Sequence, residues 1–313
     1  MKTIILGPPG TGKTTTLLDL VDEFIQQGVR PKQIGYFSFT KKAATEAANR
    51  AAEKFGLDIE NDLSNFRTLH SLAFRNLGMT KEKMMKIEDY KEFGQKCGIP
   101  IKTANYSSED GTFNSDNEYL TIINTARVKR MDLLEYYDSR KNILDIERST
   151  LFLLAEELQK FKKEKGLKDF TDLLEDFIEK SLPGSLEVLF IDEAQDLSLI
   201  QWEMVRHLWK HAKKTYIAGD DDQAIFKWAG ADVDHFIALK EEVNDIKILD
   251  QSYRIPGGPI HELSQKIINK VQNRFQKEYK PRDEIGLLKR YSDITQVDMS
   301  KGNWLVLSSA NYF

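Results

Sequence analysis

"GPPGTGKTTT" occupies Gly7–Thr16. A stretch this rich in glycine, proline and threonine normally marks a turn. Here it lies between the apolar run "TIIL" at 3–6 and "TTTLLDLVDEFIQQG", whose Leu17, Leu18, Val21, Phe24 and Ile25 recur with helical period before Gly28 closes the pattern. Gly7, four residues, then Gly12-Lys13-Thr14 fits G-x-x-x-x-G-K-[ST], a phosphate-binding loop between a strand and a helix. Gly7, Pro8, Pro9, Gly10, Thr11 and Gly12 form the loop, and Thr15 follows it. Glycines allow backbone N–H groups to approach a polyphosphate, because no Cβ stands in the way. Lys13 is expected at the β- and γ-phosphates and the Thr14 hydroxyl on Mg²⁺, with the positive end of the helix dipole behind them. The plain alternative is an ordinary strand–turn–helix corner.

Outward from this loop, further short apolar runs read as buried parallel strands: "IGYFSF" at 34–39, "VLFID" at 188–192, "TYIAG" at 215–219 and "IKIL" at 246–249. Helical patterns separate most of them, so an α/β doubly wound sheet is expected. Between Ala73 and Phe170 no strand is expected. That stretch carries helical segments and the polar loop "NYSSEDGTFNSDNE". The predicted organisation is a parallel-sheet domain made of 1–73 and 170–250, a mostly helical insertion at 74–169, and a third region at 251–313. In the last, "SYRIPGG" predicts a turn, "PIHELSQKIINKVQ" a helix and "WLVLSS" at 304–309 a strand, together the start of a second α/β domain cut short.

The 313 residues suffice for two domains, and 41% hydrophobic with 30% charged residues fits a soluble globular chain. A net charge of −4 gives no general support for nucleic-acid binding, so that reading must rest on particular residues. The single Cys97 excludes an internal disulfide. "MKTIIL" is too short for a signal-peptide core, no run reaches membrane-spanning length, and the cytoplasm is the expected compartment. The basic stretch "KFKKEKGLK" at 160–168 reads as a solvated helix face.

A phosphate loop needs an acidic partner for Mg²⁺. "VLFIDEAQD" places Asp192 and Glu193 at the carboxyl end of a buried strand, where open α/β sheets hold their ligands. Asp192 is expected at the metal and Glu193 at the attacking water. In "TYIAGDDDQAIFKWAGAD", Gln223 follows a strand end within reach of a γ-phosphate. In "LDQSYR", Arg254 suits phosphoryl charge and Tyr253 suits stacking on a base. Phe39, beside Thr40, and Phe226 and Trp228, flanking Lys227, follow strand ends. Exposed aromatics there suit stacking on the bases of a single strand, and burial in the core is the alternative.

In this order "GPPGTGKT" (7–14), "FSFTKKAATEAANR" (37–50), "TLHS" (68–71), "DFTDLL" (169–174), "LFIDEAQDLS" (189–198), "AGDDDQAIFKWAGAD" (218–232) and "LDQSYR" (249–254) make the sequence resemble the UvrD/Rep/PcrA family of superfamily 1 DNA helicases over nearly its whole length. The resemblance implies a RecA-like fold and ATP-driven 3′→5′ movement on single-stranded DNA. It puts Lys13 and Thr14 on phosphates and Mg²⁺, Asp192 on the metal, and Glu193 on the water. Gln223 and Arg254 fall on the γ-phosphate and Tyr253 on adenine. Phe39 and Trp228 take base-stacking roles, and Thr68 and His70 contact the DNA backbone. It further implies duplex junctions and other replication or repair proteins as partners, and a monomer. Departures are visible. The chain opens on its first strand, without the glutamine-bearing segment that selects adenine, so relaxed base selectivity is expected. Thr15 stands where many members have Arg. Motifs of a second motor domain do not appear, so the chain is expected to be an amino-terminal portion that does not unwind by itself. A DNA-binding ATPase module or switch is the alternative.

Overall fold

In the computed structural model, which describes residues 1–142, 146–180, 184 and 186–306, the first strand β1 (Lys2–Leu6) runs into the glycine-rich loop and then helix α1 (Lys13–Gln26). Strand β2 (Ile34–Ser38) leads to α2 (Lys41–Phe55), and a two-residue strand β3 (Phe66–Arg67) to α3 (Leu69–Asn76). The chain then leaves the sheet. Helix α4 (Ile87–Cys97), strands β4 (Ala104–Tyr106) and β5 (Phe113–Ser115), and helices α5 (Glu118–Val128), α6 (Leu133–Arg140) and α7 (Arg148–Lys165) follow. They enclose a core of their own, with Tyr90, Phe93, Leu120, Ile123, Leu151, Leu158 and Phe161 buried. β4 and β5 pair antiparallel, so the polar stretch expected as a loop holds a small hairpin. Three-residue strands leave too little apolar periodicity to be read from sequence.

The excursion leaves and returns at one place. Met85 N–H donates to Lys168 O at 2.8 Å and Lys168 N–H to Lys83 O at 2.9 Å, so the outgoing and incoming segments lie side by side. Helix α8 (Phe170–Lys180) then packs beside α3. Strand β6 (Leu186–Asp192), helix α9 (Leu199–Trp209), strand β7 (Ala212–Gly219), helix α10 (Val233–Ala238) and strand β8 (Asp245–Ile248) complete a six-stranded sheet of order β3-β2-β6-β7-β1-β8. Every pairing in it is parallel. The inner strands are covered on both faces, as parallel sheets require; β8, expected as a buried strand, lies at the sheet edge with all four residues exposed. Ile4, Phe37, Leu189, Ile191 and Ile217 face α3, α8, α9 and α10; Ile5, Tyr36, Val188, Phe190 and Ala218 face α1 and α2. The five strands expected for this sheet are present. β3, only two residues long, was not expected.

After the sheet, β9 (Gln251–Gly257), α11 (Pro259–Ile268) and β10 (Lys280–Ile285) form a β-α-β unit whose strands pair parallel. The turn expected at "SYRIPGG" is therefore mostly strand. The expected strand at 304–309 is not seen over 304–306, which are irregular and exposed, and 307–309 lie outside the described residues. β10 was missed because "KPRDEI" is mostly charged and its side chains are largely exposed. Among the described residues no helix is long and apolar enough to cross a membrane.

Candidate functional site

The loop after β1 turns sharply over α1. Gly10 (φ +76°) and Gly12 (φ +82°) adopt left-handed backbone, and a Cβ on Gly10 would stand 2.3 Å from Arg254 Cβ. Gly10 therefore serves two ends: it permits the turn and lets β9 lie against the loop. Tyr253 N–H donates to Gly10 O at 2.8 Å, and Ser252 Oγ to Pro9 O at 2.9 Å. The Lys13 ammonium lies over the loop, 2.7 Å from Gly7 O.

Around this loop is a cleft of about 460 Å³ lined by Pro9–Thr15, with Glu193, Gln223, Tyr253 and Arg254 across from it. Eleven of the residues expected at a nucleotide site thus share one cleft. Gly7, Pro8 and Asp192 lie behind its wall. Tyr253 is exposed at the mouth. Sequence reasoning missed Ala43, Glu46 and Arg50, which α2 adds to the lining. Arg50 pairs with Glu46 at 2.7 Å, one helical turn apart. That i,i+4 spacing within "TEAANR" was the available signal.

Asp192 ends β6 fully buried. Its Oδ2 accepts hydrogen bonds from Thr14 Oγ1 at 3.0 Å and Tyr36 Oη at 2.7 Å, and its Oδ1 from Glu193 N–H at 3.0 Å. Burial and the nearby Glu193 charge push the Asp192 carboxyl up, and the Tyr36 and Thr14 hydrogen bonds oppose this. A buried carboxylate met by two hydroxyls and an amide suits a divalent cation, whose charge inverts that balance. Thr14 and Asp192 supply two oxygens. Mg²⁺ in phosphate sites commonly takes no more from the protein, completing its octahedron with phosphate and water. Among the described residues no three His, Cys, Asp or Glu side chains converge as a closed metal cage.

Glu193 has φ +53°, rare for a residue with a side chain and costing about 1–2 kcal/mol. The kink turns it from the strand's alternation into the cleft. Gln195 Nε2 holds Glu193 Oε2 at 2.9 Å and Asp196 Oδ2 at 3.0 Å. Asp196 is pushed up to about 7 by burial and then by Glu193. Gln223 faces the cleft with its Nε2 on Asp220 Oδ2 at 2.6 Å.

The aromatic residues divide. Trp228 is 65% exposed, beside Ile225 at 72%. Phe226 is half-buried, 6.2 Å from the Trp228 ring. Phe39, expected as an exposed face, is buried, with its ring centroid 5.1 Å from that of Phe226. It props Phe226 from beneath, because the segment after β2 turns inward under the loop that carries Trp228. Thr40 and Thr68 cap helices: their hydroxyls accept from Ala43 N–H at 3.1 Å and Ser71 N–H at 3.2 Å. His70 packs on Phe170 and burial lowers its pKa to about 4, with Asp110 opposing, so near neutral pH it is an uncharged hydrogen-bonding group. The positive charge comes from residues the sequence reading did not select. A hollow of about 500 Å³ next to Thr68 and His70 is lined also by Lys41, Arg67 and Lys81.

The model of the UvrD/REP helicase N-terminal domain matches residues 1–244. The ATP-dependent DNA helicase Rep of Buchnera aphidicola is 24% identical over 88% of this chain and 42% of its own length. A probable DNA helicase II homolog of Rickettsia conorii is 30% identical over 88% and 43%. The ATP-dependent DNA helicase Rep of Escherichia coli is 26% identical over 81% and 39%. The chain thus spans about two-fifths of the length of these relatives. With a parallel-sheet fold, a phosphate loop and an acidic strand end in the expected places, and the family match over most of its length, the chain belongs to the UvrD/REP helicase family through the N-terminal domain.

Proposed function

We propose that this chain forms the ATP-binding motor portion of a DNA helicase that moves along single-stranded DNA. The observation that carries the reading is the convergence in one cleft of the loop at Pro9–Thr15 with Glu193, Gln223, Tyr253 and Arg254. Lys13 and the loop amides bind the β- and γ-phosphates. Thr14 and Asp192 hold Mg²⁺, which when bound neutralises phosphate charge. Glu193 accepts a proton from, or orients, the attacking water. Gln223 and Arg254 contact the γ-phosphate, and exposed Tyr253 stacks on the base. Movement in the 3′→5′ direction, duplex junctions as substrate and action with other replication or repair proteins are part of the proposal and rest on the motif resemblance alone.

Single-stranded DNA passes over Trp228 and Phe226, with its phosphates toward Lys41, Arg67 and Lys81 and the polar groups of Thr40, Thr68 and His70. Phe39 acts by propping Phe226 and not as a stacking face. Unselective binding of a single strand needs this pairing of π-faces with cations. ATP hydrolysis measured with and without an unstructured oligonucleotide tests the reading. Stimulation by DNA is expected, and phosphate release indifferent to DNA removes the motor assignment.

Trp228→Ala is expected to weaken single-strand binding by about 1–3 kcal/mol, the worth of one base stack, on any sequence. Because the ring is mostly in solvent, the melting temperature should stay near wild type. A DNA titration beside a melting curve checks both. Loss of stability with unchanged DNA affinity contradicts the assignment.

A further inference from the structure

The residues between α11 and β10 take no part in the function proposed above, yet they are anchored on its phosphate-facing side. The side chain of Lys277 is fully buried. Its Nζ lies 2.8 Å from Asp220 Oδ1 and 3.1 Å from Asp222 Oδ2, and it also contacts Asp221 Oδ1. Arg274 Nε donates to Asp222 Oδ1 at 2.8 Å, and Phe275 N–H to Asp221 Oδ2 at 2.7 Å. Tyr279 Oη reaches the phosphate loop itself, donating to Pro9 O at 3.0 Å.

Taking an ammonium this far out of water is costly, and a pair of this kind is often no more stabilising than an apolar contact. Adhesion alone therefore does not account for a lysine here. Its placement on Asp220 has a particular consequence. With Lys277 on Oδ1, the other oxygen of Asp220 takes the Gln223 amide at 2.6 Å. A carboxylate only accepts, so the NH₂ end of Gln223 is turned toward Asp220, and the orientation of the amide in the cleft is set. Asp220 N–H donates to Gln195 Oε1 at 3.0 Å, and Gln195 Nε2 donates to Glu193 at 2.9 Å. Asp220 thus links Lys277 to Gln223 through its carboxylate and, through its own backbone N–H and Gln195, to Glu193.

We propose that Lys277 is a positioning residue for nucleotide binding: by holding Asp220 it fixes the Gln223 amide, and so sets how strongly affinity depends on the γ-phosphate. The inference rests on the nucleotide reading above. Lys277→Met keeps the length of the side chain and removes its charge. The test measures calorimetric affinities for the Mg²⁺ complexes of ADP and of a non-hydrolysable β,γ-imido ATP analogue. It uses wild type, Lys277→Met, Gln223→Ala and the double variant. Wild type is expected to favour the analogue. Lys277→Met is expected to lose about tenfold in analogue affinity, the worth of one hydrogen bond to a charged group, with ADP affinity kept. The double variant should be no worse than Gln223→Ala, since both changes break one chain of contacts. Equal losses for both nucleotides, no loss for either, or losses that add in the double variant overturn the inference while leaving the nucleotide site in place. Failure of wild type to bind either nucleotide overturns the site reading and the inference with it. If Lys277→Met does not fold, Asp220→Asn, which leaves Lys277 with Asp221 and Asp222, is held to the same outcomes.

Discussion

Lys13→Ala is expected to abolish ATP hydrolysis and leave the fold intact. The ammonium lies 2.7 Å from Gly7 O above the turn of the loop, where the β- and γ-phosphates of a bound nucleotide belong. A preorganised donor aimed at developing phosphoryl charge lowers the barrier by several kcal/mol, so its removal costs about 10²–10³ in rate or more. The fold does not depend on it. The strand before the loop is held by β7 and β8, and α1 is anchored by Leu17, Leu18, Val21 and Phe24. Phosphate release beside a thermal melt checks both halves. Turnover like wild type in a folded variant removes Lys13, and with it the phosphate loop, from the proposed chemistry.

Lys162→Met is expected to destabilise the protein by about 3–5 kcal/mol, the cost of leaving a partner charge buried and uncompensated. Lys162 Nζ lies 2.7 Å from Asp169 Oδ2 and 2.8 Å from Asp172 Oδ1. Arg127 lies 2.7 Å from Asp169 Oδ2 and 2.7 Å from Glu175 Oε2, and also contacts Asp172. The cluster ties α5 and α7 of the excursion to α8 of the sheet domain. Burial alone would raise the Asp169 carboxyl, but Arg127 and Lys162 more than offset it and hold it well below the usual carboxylate range. A carboxyl lowered in the folded state stabilises above its unfolded pKa, about 4, and that stability is lost as pH falls below it. The gap between Lys162→Met and wild type should therefore be widest near neutral pH and narrow below about pH 4. Urea unfolding at several pH values measures it. A loss under about 1 kcal/mol at pH 7 would mean that the cluster contributes little.

This cluster also marks the limit of what the sequence tells. "KFKKEKGLK" reads as a solvated basic face, yet Phe161 and Lys162 are buried. Charge along one helix says nothing of the two acids, Asp169 and Asp172, that the start of α8 and the turn before it bring to Lys162. Asp169 and Asp172 were legible as part of a motif, but their partner Arg127 is 42 residues from Asp169 along the chain. Phe39 is the same case reversed. Its place at a strand end suggested exposure, and the packing of Phe226 over it decided otherwise.

The parallel sheet, the glycine-rich loop and the acidic strand end were readable from the residues in order. Each is a local event: a buried strand needs a short apolar run, and a phosphate cradle needs glycine at fixed spacing followed by Lys and Thr. These also sufficed to bring together most of the cleft proposed for nucleotide, because a parallel sheet gathers the carboxyl ends of its strands on one edge. Which charges are paired and which rings are free was settled by packing in three dimensions. It put Lys162 among carboxylates, turned Glu193 into the cleft through a left-handed residue, and sank Lys277 against Asp220. It left Trp228 in solvent above a buried Phe39. Burial and ion pairing depend on what distant segments place opposite a side chain, and no window of neighbouring residues contains that information.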